Sequence, residues 1–303
     1  MTTSQMQAAS AVARGFDPAR HVLIAGPTAS GKSALALALA QDQGGVIVNA
    51  DAIQVYENWR ILTARPSAAE EALAPHALYG HIPGEAPYSV GQWLRDVAAL
   101  LNGSERLIIT GGTGLYFTAL TEGLAEIPET PPDIRAMGEE RLEHDGLEAI
   151  IAELDPETAA RIDLNNPARV MRAWEVLRTT GKGLAAWQDT TPPPLLPLDH
   201  AQTALFDAPK DWLTPRIEGR FRKMIDAGAL DEARANLGSW SPALPSSKAI
   251  GAAELIAVVK GEMTQEAAFE RATILTRQFA KRQRTWFKGR MTRWQKIHPK
   301  VLA

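Results

Sequence analysis

The sequence contains no cysteine. Disulfide frameworks, cysteine-bearing zinc sites and cysteine nucleophiles are therefore excluded together. It also lacks any apolar run near the roughly 20 residues that a membrane-spanning helix needs. Residues 1–16 mix small and polar types without the continuous apolar stretch of an export signal, so a soluble, unexported, cytoplasmic protein with no membrane partner is expected. Net charge is scarce as well, at −3 over 303 residues. What is present is ordinary for a globular enzyme: 45% hydrophobic and 22% charged residues, in a chain long enough for about two lobes. The small net charge hides a bias, because between Arg271 and Lys300 there are ten basic residues and no acidic one. Such a stretch attracts polyanions locally even though the rest of the chain is acidic.

Short apolar runs at 21–25, 46–48 and 106–110 each end in a polar or glycine-rich turn. Residues 33–40 read as an alanine- and leucine-rich helix, and 88–101 as a packing helix through Val90, Trp93, Leu94, Val97 and Leu101. Buried strands alternating with helices predict an α/β fold, a P-loop NTPase-like parallel sheet flanked by helices, with ligands beyond the carboxyl ends of the strands. From about residue 123 to 197 the pattern breaks into proline-punctuated helices, including an Asp155-Pro156-Glu157 start. Beyond the proline cluster, 201–206 reads as a returning strand, and 212–227 and 265–288 as long helices. The predicted organisation is a core of 1–122 and 198–303 with a helical lobe, 123–197, inserted into it.

The segment Gly26-Pro27-Thr28-Ala29-Ser30-Gly31-Lys32-Ser33 sits between the first strand and the first core helix. Glycines there let successive amide hydrogens converge on phosphate oxygens, and the helix adds the positive end of its dipole. Lys32 is placed to reach an outer phosphate and Ser33 to help hold a magnesium ion. Such a loop serves phosphoryl transfer, hydrolysis or displacement of a whole diphosphate equally well. Asp51, after the second strand, suits a metal ligand, a general base or a helix cap, and spacing alone leaves all three open. Gln54 carries an amide suited to a purine edge, although a surface glutamine is commoner. Gly111-Gly112-Thr113-Gly114 repeats the strand-end logic, either as a close-approach loop with the Thr113 hydroxyl or as a tight turn.

Taken in order, these motifs resemble the tRNA dimethylallyltransferases, also called tRNA isopentenyltransferases, along almost the whole chain. The resemblance rests on the phosphate loop, Asp51-x-x-Gln54-x-Tyr56, Thr63-Ala64-Arg65-Pro66, Pro87-Tyr88-Ser89-Val90 and Gly111-Gly112-Thr113-Gly114-Leu115-Tyr116. It continues through Asn166-Pro167-Ala168-Arg169-Val170-Met171-Arg172-Ala173, the Arg216 to Phe221 segment, and Thr276 to Trp286. The resemblance implies transfer of a dimethylallyl group from dimethylallyl diphosphate to the N6 amine of the adenine 3′-adjacent to the anticodon. Gly26, Thr28, Ala29, Ser30, Gly31, Lys32, Ser33 and Arg220 would hold the diphosphate, with Arg220 favoured over Arg216, and Mg2+ would bind at Ser33. Asp51 would be the base, assisted by Thr113 and Lys32. The tRNA anticodon stem-loop would meet Asp51, Ala52, Ile53, Gln54, Thr113, Arg169, Arg172, Lys248, Arg277 and Lys281. A monomer is expected. Without the resemblance, the basic C-terminal helix reads equally as a solvated face with Ile274, Phe279 and Trp286 packed inward, and Trp286 and Trp294 are read as core residues rather than base-stacking ones. The sequence departs from the family pattern at Ala52, where serine is common, at Ala168, where glutamine is common, and at Ala252-Ala253, where a tyrosine and a polar residue are usual. The alternative function is a P-loop small-molecule kinase.

Overall fold

The computed structural model describes residues 3–302; residues 1, 2 and 303, the outer ends of the predicted core, lie outside the described residues. Six strands, β1 (His21–Ala25), β2 (Val46–Asn49), β3 (His76–Ala77), β4 (Leu107–Gly111), β5 (Ala201–Phe206) and β6 (Lys296–Ile297), form one sheet in the order β3-β2-β4-β1-β5-β6. Every pairing in it is parallel. Around the sheet the chain forms α1 (Thr3–Ala13), α2 (Lys32–Gln43), α3 (Ala68–Glu71), α4 (Val90–Leu101) and α5 (Gly114–Glu122). After the insertion come α10 (Lys210–Asp226), α11 (Ala229–Asn236), α12 (Ala252–Val259) and α13 (Gln265–Arg290), the inserted helices being α6 (Pro132–Ile151), α7 (Pro156–Arg161), α8 (Pro167–Thr180) and α9 (Leu184–Gln188). Two compact units result: one runs to Thr121 and resumes at Leu195, and the other is Glu122–Pro194.

Period-two alternation of apolar side chains explains why helices cover both sheet faces. Val22, Ile24 and Ile108 face one cluster with Leu35, Leu39 and Ala13 of α2 and α1. Their neighbours Leu23, Ala25, Leu107 and Ile109 face the opposite cluster with Trp93, Phe117 and Phe287. Strand β1 lies between β4 and β5, so the phosphate loop emerges from the middle of the sheet, with the turns after β2 and β4 to one side. A third cluster of Trp59, Leu62, Phe221, Met224 and Leu255 packs the 59–62 segment against α10–α12. Glu232 of α11 ties that segment further, accepting from the backbone N–H of Arg60, Ile61 and Leu62. The Leu196 N–H donates to the Leu120 carbonyl at 3.1 Å, joining the two points where the chain leaves and rejoins this unit.

The inserted unit has four helices around Trp174, Ile150, Val170 and Ala173. Asp155 caps α7 by accepting from the Thr158 N–H at 2.9 Å, with Pro156 in the first turn. α6 is interrupted at Gly146, whose φ of 79° no helix interior adopts.

On α13 the inward packing expected of Ile274 does not occur: it is 46% exposed. Five residues at about 100° each carry it about 140° round the helix from Phe279, whereas Trp286, seven residues past Phe279, returns to nearly the same face. Trp286 packs on the cluster that buries Trp294, so neither indole presents itself as a free stacking platform. No helix among the described residues is long and apolar enough to cross a membrane.

Candidate active site

The phosphate loop is shaped from both sides. A Cβ on Gly26 would sit 2.7 Å from the Phe206 Cβ of the adjacent strand, so only glycine lets the loop leave β1 at that point. Ala29 and Gly31 then take φ values of 62° and 105°, turning the backbone sharply between β1 and α2. The Thr28 and Ser30 N–H groups are held by Gln283 Oε1 and the Pro27 carbonyl. Those of Ala29, Gly31, Lys32 and Ser33 have no acceptor among the described residues and lie at the start of α2, where an anion can take them up.

Lys32 folds back, its Nζ donating to the Pro27 carbonyl at 2.8 Å. Burial pulls its pKa down to about 7, Asp51 opposes that fall, and Arg220 adds to it. Arg220, from α10, donates through Nη1 to Thr28 Oγ1 at 2.9 Å and through Nη2 to the Thr63 carbonyl at 3.4 Å. One turn earlier, Arg216 instead lies over the Trp212 ring at 3.7 Å from its centroid. Of the two arginines, Arg220 is the one in the cleft.

Asp51 is set by the fully buried Asn49, whose amide accepts from the Asp51 N–H and donates to its carbonyl. Asp51 Oδ1 accepts from the Ile53 N–H at 3.0 Å and the Gln54 N–H at 3.4 Å, so one oxygen caps a turn and not a helix, since among the described residues no helix begins between β2 and Ala68. Oδ2 accepts no hydrogen bond among the described residues, and Asp51 lines the same cleft as Thr28–Ser33 and Arg220, a cavity of ≈ 660 Å³. Tyr79, another wall residue, has its phenol pKa pushed well up, by burial first and by Asp51 second.

Several candidates do other work than the sequence suggested. The Gln54 amide nitrogen is spent on the Thr63 and Ala64 carbonyls, at 2.8 and 3.0 Å, so only Oε1 remains for a base edge. The Thr113 hydroxyl accepts from the Ala52 N–H at 2.9 Å and so steadies the Asp51 turn; Thr113 is not among the cleft-lining residues. Ala52 and Ile53 pack into the two flanking apolar clusters. The glycines of the second loop make room for protein. A Cβ on Gly111, Gly112 or Gly114 would lie 2.0 Å from the Ala50 carbonyl, 2.3 Å from Gln283 Nε2 or 2.1 Å from Trp286 Nε1 respectively.

Lys248 is exposed at the end of a short 3-10 turn and outside the cleft. Arg277, 3.5 Å from Glu218, and Lys281 line a separate groove of ≈ 940 Å³ with Lys210, Arg284, Lys288 and Lys296. In the inserted unit, Arg172 donates to Thr130 Oγ1 at 2.7 Å and lies 3.7 Å from Glu175, and Arg169 is exposed in the first turn of α8. Sequence reading assigned no role to Gln283, which joins the phosphate loop to the Gly112 loop. Its only signal was a neutral amide inside the basic run Lys281-Arg282-Gln283-Arg284.

No cluster of three or more acidic or histidine side chains capable of holding a metal occurs among the described residues. Ser33, beside the free amides and with no hydrogen-bond partner of its own, suits a Mg2+ ion held chiefly by substrate phosphates and water.

Residues 54–290 match the IPP transferase family, and residues 19–74 match the description isopentenyl transferase. The chain belongs to the tRNA isopentenyltransferase family. Among its relatives, a tRNA dimethylallyltransferase of Cereibacter sphaeroides is 61% identical over 278 residues, covering 92% of this chain and 88% of the relative. The crystal structure of a tRNA isopentenylpyrophosphate transferase from Staphylococcus epidermidis is 30% identical, with a TM-score of 0.63, covering 94% and 95% of the two chains. A eukaryotic dimethylallyltransferase solved acting on tRNA superposes with a TM-score of 0.78 at 23% identity, over 92% of this chain and 73% of that one, which establishes shared fold. In this chain the departures from the family pattern fall outside the cleft walls: Ala52 is packed against a core cluster, Ala168 and Ala253 are exposed, and Ala252 is buried at the start of α12.

Proposed function

We propose that the protein transfers the dimethylallyl group of dimethylallyl diphosphate to the N6 amine of the adenine 3′-adjacent to the tRNA anticodon, releasing diphosphate. The observation that supports this reading is the shared cleft: the phosphate loop with its free amides, Lys32, Arg220 and Asp51 all line it. In the reaction N6 forms a bond to the allylic carbon, the carbon–oxygen bond to diphosphate breaks, and the amine proton passes to Asp51. Negative charge grows on the departing oxygens, and fixed donors aimed there stabilise the transition state more than the ground state. A bound magnesium ion at Ser33 would add charge neutralisation to the same oxygens. The adenine must leave its stack to reach this cleft, where Gln54 Oε1 can accept from its amine.

The deciding experiment incubates the protein with magnesium, radiolabelled dimethylallyl diphosphate and unmodified tRNA. Label in RNA, recovered as prenylated adenosine by nucleoside mass analysis, is the expected result. Label that stays off RNA, while phosphate moves from ATP to a small molecule, would establish the kinase alternative.

The Lys32 environment gives a second expectation. With its pKa lowered to about 7, Lys32 is largely neutral at pH 8 before a ligand binds, and a bound diphosphate favours the charged ammonium and raises the pKa again. Binding at pH 8 therefore takes up roughly one proton more at this residue than binding at pH 6, and affinity falls as pH rises above 7. Calorimetry in buffers of different ionisation enthalpy measures the uptake. Equal uptake by wild type and Lys32→Met at both pH values would reject it.

A further inference from the structure

Building on the proposed function, we infer that Gln283 is a positioning residue that holds the phosphate loop in its diphosphate-binding shape. Gln283 lies on the inner side of α13, only 6% exposed, near Ala280 and Phe287, which are equally buried. An apolar residue is the ordinary occupant of such a place, since a buried amide costs stability unless both of its ends are satisfied. Here both ends are used, and both on loops of the cleft. Oε1 accepts from the Thr28 N–H at 2.9 Å, and Nε2 donates to the Gly112 carbonyl at 2.9 Å.

The two loops present opposite polarity, one a donor and the other an acceptor. A glutamine amide answers both, whereas glutamate only accepts and lysine only donates. Gly112 is shaped to the same purpose, because a Cβ there would lie 2.3 Å from Nε2. The consequence falls on the next residue: Ala29 stands at φ 62°, a region an alanine enters only when its surroundings enforce it. Gln283 fixes Thr28 by its N–H while Arg220 fixes it by its hydroxyl. Thr28, the residue before Ala29, is thus pinned from two helices, and with it the turn that leaves the amides of Ala29, Gly31, Lys32 and Ser33 free.

The test compares Gln283→Met, Gln283→Glu and Gly112→Ala with wild type. The readings are affinity for inorganic diphosphate with magnesium, affinity for tRNA at fixed salt, Tm, and steady-state kinetics with dimethylallyl diphosphate. Methionine fills the volume and makes neither bond, so diphosphate Kd and donor KM should rise on the order of tenfold, with kcat within about threefold and tRNA Kd within about twofold. Glutamate keeps the Thr28 bond but sets an acceptor and a negative charge against the Gly112 carbonyl, and should weaken diphosphate more than methionine does. Gly112→Ala displaces Nε2 by a different route and should give the same donor-selective loss, less than additive with Gln283→Met. Unchanged diphosphate affinity in any folded variant, or a lowered Tm and kcat with donor KM unmoved, overturns the inference. If wild type binds diphosphate but prenylates no tRNA, the functional reading fails while the role of Gln283 is still decided by the diphosphate titration.

Discussion

Asp51→Asn is expected to lower kcat by about 10²- to 10⁴-fold, the range a positioned general base contributes, while tRNA Kd stays within about threefold. The asparagine is chosen for its geometry. Its side-chain oxygen can still accept from the Ile53 and Gln54 N–H groups as Asp51 Oδ1 does, so the turn survives and only the basic second oxygen is lost. Asp51→Ala removes both functions, and its additional loss measures what the turn itself contributes. Single-turnover transfer with saturating tRNA separates the two variants. Asparagine that retains wild-type turnover would show that the carboxylate is a cap and nothing more.

The second large effect is expected at Arg220. Arg220→Met should cut kcat/KM for the donor about 10²-fold, roughly 2.7 kcal/mol of lost transition-state stabilisation, whereas Arg216→Ala should change it by less than about twofold. The contrast follows from placement: Arg220 reaches Thr28 and Thr63 in the cleft, and Arg216 lies on the Trp212 ring. Arg220→Lys should recover only part of the loss, since an ammonium cannot hold Thr28 and a phosphate oxygen with the same planar fork. Donor kinetics on the three variants decide it, and equal losses at both arginines would argue for a general effect of α10 charge.

The strands that position these groups were readable because burial imprints itself locally. β1 and β5 occupy the same bounds as the apolar runs that predicted them, and Asp155-Pro156 opens α7 where the sequence placed a helix start. β3 and β6 carry two residues each, too few for any period to register. The site divides in the same way. The loop amides, Lys32 and Asp51 announce themselves through neighbours a few positions away. Gln283 does not, since its partners are 255 and 171 residues distant and nothing nearby marks it as different from a solvated glutamine. Gln54 and the Gly111–Gly114 glycines were legible as residue types, but the protein partners they meet were not. Their neighbours are backbone carbonyls and α13 side chains, which only the folded chain brings close.

The bond from Leu196 to Leu120 bears on how such a protein can diversify. Where chain ends are already joined, extending the intervening segment is cheap, since doubling a loop adds only about 0.6 kcal/mol of closure entropy. The helices carried between those leucines can therefore gain, lose or exchange residues without altering the strand pairing from which the phosphate loop emerges.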